Sequence, residues 1–336
     1  MKKNYVIDDV YRNSKQNNAG YKARDDINDI LKEEFEITYF LKGKNKISRL
    51  INYLKIIWNI KLHSNIVLVQ YPFYIKKIYV QLLKHWLPRG SILLIHDIDS
   101  LRNQWSMKDI DREIEIFNLF DYVISHNTKM TSWLEKNGCK SKIVNLEIFD
   151  YLSLNKIDIT KKRENAIAFA GNLSQDKSGF LYQSTLNHIN LNVYGSNFKD
   201  LSLQHINYKG SFPAELLPEI LNEKYGLIWD GKSIENCDGL FGEYLKYNNP
   251  HKTSLYLASG LPVIVWNKAA IASFIEKNGL GFSIQSINEI EEKLKNISKE
   301  DYLIMLNNVY KISEKLQQGY FLKKALNKCR EEKYEV

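Results

Sequence analysis

At 336 residues the chain is longer than one typical hydrophobic core supports, so two domains of about 150 residues each are expected. Its 44% hydrophobic and 26% charged content exclude a disordered chain, and three unevenly spaced cysteines exclude a disulfide frame or a zinc site. The net charge of +8 admits nucleic acid, an anionic membrane surface or phosphorylated ligands, but no basic-aromatic nucleic-acid motif is present, so no nucleic acid is expected.

In chain order, short β-rich runs recur at Tyr5–Ile7, Glu36–Phe40, Ile66–Val69, Ile92–Ile95, Tyr122–Ile124 and Lys142–Val144. Segments of helical periodicity, such as Ile47–Ile60 and Ile75–Trp86, lie between most of them. Near-continuous apolar strands alternating with helices predict a parallel sheet covered on both faces. After a polar linker at Leu152–Arg163 the rhythm restarts with Ala166–Ala170, Leu191–Tyr194, Ile206–Tyr208, Gly226–Trp229, Pro262–Val265 and Gly281–Ile284. The end, from Ser298 to about Glu332, reads as two helices. The expected fold is therefore α/β, with two Rossmann-like doubly wound domains and a helical tail. The expected boundaries are 1–153, 164–310 and 311–336, and the tail of such a chain often returns to the first domain.

Free thiols suit a reducing compartment. The apolar run after Met1-Lys2-Lys3 meets Asp8 and Asp9 too early for a signal peptide, and no stretch approaches 18 apolar residues. A cytoplasmic protein is expected.

Ligands of parallel α/β sheets bind beyond the carboxyl ends of the strands, and those loops hold the unusual residues. The first strand is followed by Asp8-Asp9 and a polar run to Gly20, and the fourth by His96-Asp97-Ile98-Asp99. Asp97-Ile98-Asp99 spells a D-x-D pattern that can ligate a divalent cation, but it is short enough to arise by chance. A carboxylate or imidazole at that strand tip, Asp97 or His96 with Asp8 as substitute, could also take a proton from a hydroxyl. Asp97 or Asp99 would serve equally well as a cap for the following turn.

In the second half Gly171-Asn172 makes a single-glycine turn rather than a dinucleotide fingerprint, and Asp230-Gly231 follows another strand. Lys177 could reach a phosphate or stand exposed, and Tyr208 could stack on a base or pack in the core. In Asn249-Pro250-His251-Lys252, Asn249 is placed to cap a helix with Pro250 in its first turn. Lys252, a cation at the positive end of that helix, would be completed by an anionic ligand, though an ordinary solvated lysine fits too. The basic amphipathic segments Lys42–Lys61 and Tyr74–Arg89 suit either covering helices or contact with an anionic membrane.

These residues together resemble a bacterial family of two-Rossmann glycosyltransferases: galactofuranosyltransferases of surface-polysaccharide synthesis and related glucosyltransferases that extend sugars on serine-rich adhesins. The resemblance covers nearly the whole chain. It rests on Asn18–Arg24, Leu94–Arg102, Ile124–Asn127, Lys142–Tyr151, Gly171–Leu173 and above all Asn248–Val265, whose Asn-Asn-Pro-His-Lys start is nearer the galactofuranosyl branch. It implies a UDP-sugar in the second half, with Gly171, Asn172 and Lys177 along the diphosphate and nucleotide, Tyr208 near the uridine, and Asn249 and Lys252 at the phosphates. Asp230 joins that set by its loop position. Lys177 stands where some relatives carry arginine, so a bidentate fork is lost there.

The expectation is a metal-independent, inverting hexosyl transfer without cofactor. Asp97 leads as base, with His96 and Asp8 behind it, and Gly20 and Asp99 lie on the acceptor-side loops. The acceptor would be a lipid-linked or protein-linked glycan, reached from the inner membrane face. The related adhesin glucosyltransferases form oligomers, which extends that expectation to this chain. Two alternatives remain: a UDP-glucose-dependent transferase acting on a serine-rich adhesin, and a non-catalytic nucleotide-binding partner of another transferase.

Overall fold

The computed structural model describes residues 3–9, 19–40, 45–75, 80, 82–83, 85–154, 156–183, 189–200 and 203–334. The chain divides into two compact units. The first comprises Met1–Lys15, Ala23–Leu146 and Phe321–Val336, and the second Gln16–Lys22 and Glu147–Tyr320. Each is built on a six-stranded sheet in which every pairing is parallel.

The first sheet consists of β1 (Lys3–Asp8), β2 (Phe35–Tyr39), β3 (Ser64–Tyr71), β4 (Ile92–Ile95), β5 (Tyr122–Ser125) and β6 (Lys142–Asn145), in the order β2-β1-β3-β4-β5-β6. Its helices are α1 (Ala19–Leu31), α2 (Lys46–His63), α3 (Asp99–Arg102), α4 (Met107–Phe117) and α5 (Thr128–Lys136). Val67, Leu68 and Val69, consecutive on β3, are all fully buried, which requires cover on both faces. Asn45 and Ser48 start α2 with a reciprocal capping box, and Asn127 caps α5 by accepting from Lys129 and Met130 N–H. The expected helix at Tyr74–Arg89 falls partly on residues 76–79, 81 and 84, outside the described residues, as do Asn18 and Asn155.

The second sheet consists of β7 (Glu164–Ala170), β8 (Leu191–Tyr194), β9 (Ile206–Gly210), β10 (Glu223–Ile228), β11 (Val263–Trp266) and β12 (Gly281–Ile284), in the order β12-β11-β10-β7-β8-β9. Around it lie α6 (Gln175–Ser178), α7 (Leu217–Ile220), α8 (Gly239–Tyr244), α9 (His251–Ala258), α10 (Ala272–Lys277), α11 (Ile290–Asn296) and α12 (Lys299–Gln317). The last helix, α13 (Tyr320–Tyr334), is counted with the first unit from Phe321 onward. There Arg330 pairs with Glu34 at 3.0 Å and lies over the Phe35 ring. The break between α12 and α13 comes at Gly319, whose φ of +68° is the left-handed conformation that ends a helix.

Strand order reverses between β1 and β3 in the first sheet and between β7 and β10 in the second. Those reversals are where doubly wound sheets open a crevice beyond their carboxyl ends. Beside the second reversal, α9 packs directly on β10: a Cβ on Gly226 would come within 2.3 Å of the Tyr256 ring. The Tyr256 hydroxyl accepts the Ala170 N–H at 2.7 Å, so α9 is pinned to β7 as well. A separate cleft of about 400 Å³, lined by Asn165, Tyr225, Ile290 and Tyr302 among others, includes residues at the amino-terminal ends of β7 and β10, the edge opposite the reversal loops.

Candidate functional site

At the reversal in the second sheet, the loops after β7 and β10 are stitched together by their backbones. Gly231 N–H donates to Lys177 C=O at 2.7 Å, and Phe180 N–H donates to Gly231 C=O at 3.1 Å. This brings Lys177 to Asp230 and to Lys252 from the first turn of α9. Lys252 Nζ donates to Asp230 Oδ1 at 2.8 Å and to the Trp229 carbonyl at 3.3 Å, and lies 4.6 Å from the Phe169 ring centre. Both side chains are nearly buried. Burial pushes the Lys252 ammonium below its ordinary pKa; Asp230 opposes that fall and neighbouring Lys177 adds to it. Lys252 thus already has a counter-charge from the protein in Asp230. Lys177 adds a second cation close enough to act on Lys252, a pairing of like charges suited to an anionic ligand.

Asn249 does not cap the helix. Pro250, extended at φ −62° and ψ 131°, occupies the cap position, and α9 begins one residue later than expected. The Asn249 amide donates instead to the Glu147 carbonyl at 2.9 Å. Glu147 has a φ of +73°, unusual for a side chain with a Cβ, and this bond helps hold it. The first turn of α9 therefore has no side-chain cap on its N–H groups.

Gly171 and Asn172 sit where the sequence places them, at the end of β7, and structure adds two residues that sequence reasoning missed. Gly195, at the end of β8 with φ +143°, approaches so closely that a Cβ would lie 1.7 Å from the Gly171 carbonyl oxygen. Asn197 donates to Asn172 Oδ1 at 3.0 Å, and Ser174 N–H donates to the same oxygen at 3.0 Å. Asn172 is exposed, and its side-chain oxygen already accepts two bonds. The signal was legible: Tyr194-Gly195-Ser196-Asn197 repeats the strand-then-glycine pattern of Ala170-Gly171-Asn172. Tyr208, on edge strand β9, is not core. It is exposed, stacks on Phe198 at 4.6 Å, and its hydroxyl donates to the Gly195 carbonyl at 3.0 Å.

In the first unit the candidate residues gather beyond β1, β3 and β4. Asp8 is completely buried; Oδ1 bonds Arg24 at 2.5 Å, and Arg24 also donates to the Pro72 carbonyl. That arrangement ties β1 to α1 and the end of β3, and a carboxylate so enclosed is a structural ion pair rather than an acceptor of a substrate proton. From Asp8 a hydrogen-bonded chain runs to His96. Asn28 Nδ2 donates to Asp8 Oδ2 at 3.5 Å, Gln70 Nε2 to Asn28 Oδ1 at 2.8 Å, and His96 Nε2 meets Gln70 Oε1 at 2.8 Å. Because the carboxylate can only accept, each amide must face one way, and the neutral imidazole carries its proton on Nε2. Nδ1 is then the basic nitrogen of His96.

Asp97, beside it, pairs with Arg102 at 2.8 Å and is 30% exposed in its side chain. Asp99 accepts from the Tyr74 hydroxyl at 3.1 Å, and burial raises its carboxyl above the ordinary range. The two carboxylates of the D-x-D pattern thus have different partners, and among the described residues no group of three or more His, Cys, Asp or Glu is arranged to hold a metal ion. Buried Glu113 of α4, also missed in the sequence, fixes this loop by accepting from Asp99 N–H, Ser100 N–H and the Tyr71 hydroxyl. Gly20 is not on a loop: it is exposed in the first turn of α1.

His126, buried in the first unit, and His251, half-buried in the second, are both held in the neutral form. His126 donates from Nε2 to the Ile95 carbonyl at 3.0 Å, and His251 stacks on Tyr151 at 5.1 Å. Burial holds them down to about 4 and about 3 respectively, against an ordinary value of 6.5. With folded values below unfolded ones, protonation favours the unfolded chain. Stability is expected to be full above pH 6.5 and to fall as pH drops toward 4, on the order of 3 kcal/mol for each histidine. Denaturant melts between pH 7.5 and 4.5 check this: His126→Gln and His251→Gln should each flatten the decline, and parallel slopes for wild type and variants would refute it.

Known proteins share this architecture and sequence. Residues 4–148 match the model of the glucosyltransferase 3-like N-terminal domain, and residues 167–329 that of the C-terminal domain. The β-1,6-galactofuranosyltransferase WbbI of Escherichia coli K12 is 35% identical over 333 residues, covering 96% of this chain and 97% of that protein. Glucosyltransferase 3 of Streptococcus parasanguinis is 29% identical over 70% of this chain and 68% of its own. The crystal structure of Anabaena Alr3699/HepE in complex with UDP has a TM-score of 0.60 at 12% identity, covering 99% of this chain and 100% of that one.

Proposed function

We propose a function from one premise: the chain belongs to the glucosyltransferase 3-like family and is a glycosyltransferase. It transfers a hexose, galactofuranose first, from a UDP-sugar to a hydroxyl of an acceptor sugar on a lipid-linked or protein-linked surface glycan. The observation that carries the choice of sugar is end-to-end similarity to a galactofuranosyltransferase, where similarity to the glucosyltransferases spans about 70% of the chain. Transfer of glucose is the second reading, favoured by those glucosyltransferases and by the family models.

In this reading the second unit holds the nucleotide. Breaking the sugar–phosphate bond leaves a second negative charge on departing UDP. Lys177, Lys252 and the uncapped first turn of α9 would stabilise that charge as it develops. Asp230 keeps Lys252 in place, the exposed Asn172 amide binds a phosphate or ribose oxygen, and exposed Tyr208 stacks on the uracil. In the first unit Asp97 takes the proton of the acceptor hydroxyl as it attacks the anomeric carbon in one inverting displacement, with His96 beside it. Neither step calls on a metal.

A thermal-shift panel of UDP, other nucleoside diphosphates, UDP-galactofuranose and UDP-glucose, with and without chelator, tests the donor assignment. Stabilisation selective for uridine nucleotides and retained in chelator is expected. No response to any of them would remove the nucleotide from this site.

A further inference from the structure

Helix α2 carries two apolar faces, and only one is used by the fold. Tyr53, Ile56, Ile57 and Ile60 are buried in the core of the first unit. On the other side Ile47, Leu50, Ile51, Leu54, Trp58 and Leu62 are between 39% and 71% exposed. At 100° per residue those six side chains fall within a sector of about 120°, one continuous stripe along the helix. Scattered exposed leucines need no explanation, but a stripe of six with a tryptophan at its centre is a surface kept for contact.

The charge around the stripe identifies the partner. The helix Lys46–His63 has Lys46, Arg49, Lys55 and Lys61 and no aspartate or glutamate. Lys46 and Lys55 flank the stripe on opposite sides, and Lys61 lies along it, its ammonium 4.4 Å from the Trp86 ring centre. An apolar stripe edged only by cations matches a bilayer surface, where acyl chains take the leucines, the interfacial layer takes tryptophan, and anionic headgroups take the lysines. Packing two copies of this helix face to face would set cation against cation with no acidic partner, so self-pairing through α2 is the poorer fit. No described helix is long and apolar enough to cross a membrane, so the contact is with the surface.

We propose that α2 docks this protein on an anionic lipid surface, lying in the interfacial plane with Ile47, Leu50, Ile51, Leu54, Trp58 and Leu62 inserted. This contact is independent of the donor site, whose chemistry lies in the second unit.

Flotation of the full chain with vesicles tests it. Vesicles of phosphatidylcholine with one-third phosphatidylglycerol should carry the protein upward at low salt, pure phosphatidylcholine should carry little, and added salt should weaken binding. Leu54→Gln with Trp58→Gln, and separately Lys46→Gln with Lys55→Gln, should each cut the bound fraction at least tenfold with an unchanged circular dichroism melt, since all four side chains are exposed. As a second readout, brominated lipid should quench the wild-type fluorescence and lose most of that effect in Trp58→Phe. No flotation of the wild type at low salt would overturn the proposal. So would equal binding by both double variants, or sedimentation showing that Leu54→Gln with Trp58→Gln splits an oligomer while lipid binding is absent.

Discussion

Replacing Lys252 by methionine is expected to lower sugar transfer by roughly 10²–10³-fold, the usual loss when one preorganised group facing a developing charge is removed. The single variant also leaves Asp230 buried without its cation, which costs about 3–5 kcal/mol of stability and would confuse the result. Pairing Lys252→Met with Asp230→Asn removes both charges, so the melting temperature should return toward that of the wild type while transfer stays low. This separates the two uses of the lysine. If the double variant regained both stability and turnover, Lys252 would be a structural partner of Asp230 and nothing more. Because burial already depresses the ammonium, the pair gives up its proton at lower pH than a free lysine would. Transfer should therefore fall at an alkaline pH where surface lysines remain charged.

The second large effect belongs to the base. Asp97→Asn is expected to reduce transfer by roughly 10²–10⁴-fold, with uridine nucleotide binding unchanged, because Asp97 stands in the first unit and the nucleotide set in the second. Near-normal turnover in Asp97→Asn would refute that role. The same measurement on His96→Gln then decides whether Nδ1 of the imidazole, oriented by Gln70, is the group that takes the proton.

The sheets were legible because buried parallel strands announce themselves. Runs such as Ile92–Ile95 and Val263–Trp266 are apolar throughout, and both lie in sheets at the expected places. The tail read as two helices and forms two, while the place of their break, at Gly319, was not read from sequence. At the site, the loop after each strand could be named but not its internal bonding. Asp230 and Lys252 are 22 positions apart and were each read as facing a ligand, and nothing local shows that they face one another. Asn249 looks like a cap in sequence because Asn before Pro usually is one. Its amide is drawn away by the Glu147 backbone, 102 positions earlier, a contact no local pattern encodes. Asp8 reads as a strand-tip carboxylate open to substrate until Arg24, one turn into the next helix, is seen to close over it. Pairwise polar contacts between distant segments are where sequence reading of this chain stops.

The most direct test of the account is turnover of UDP-galactofuranose and UDP-glucose by the purified chain in chelator, with a galactose- or glucose-terminated lipid-linked acceptor, following both UDP release and the glycosylated product. Product is expected from UDP-galactofuranose at a rate well above that from UDP-glucose, undiminished by chelator and lowered roughly 10²–10³-fold in Lys252→Met with Asp230→Asn. Transfer of glucose alone would move the chain to the glucosyl branch. Uridine nucleotide binding without transfer from either donor would contradict the proposed reaction.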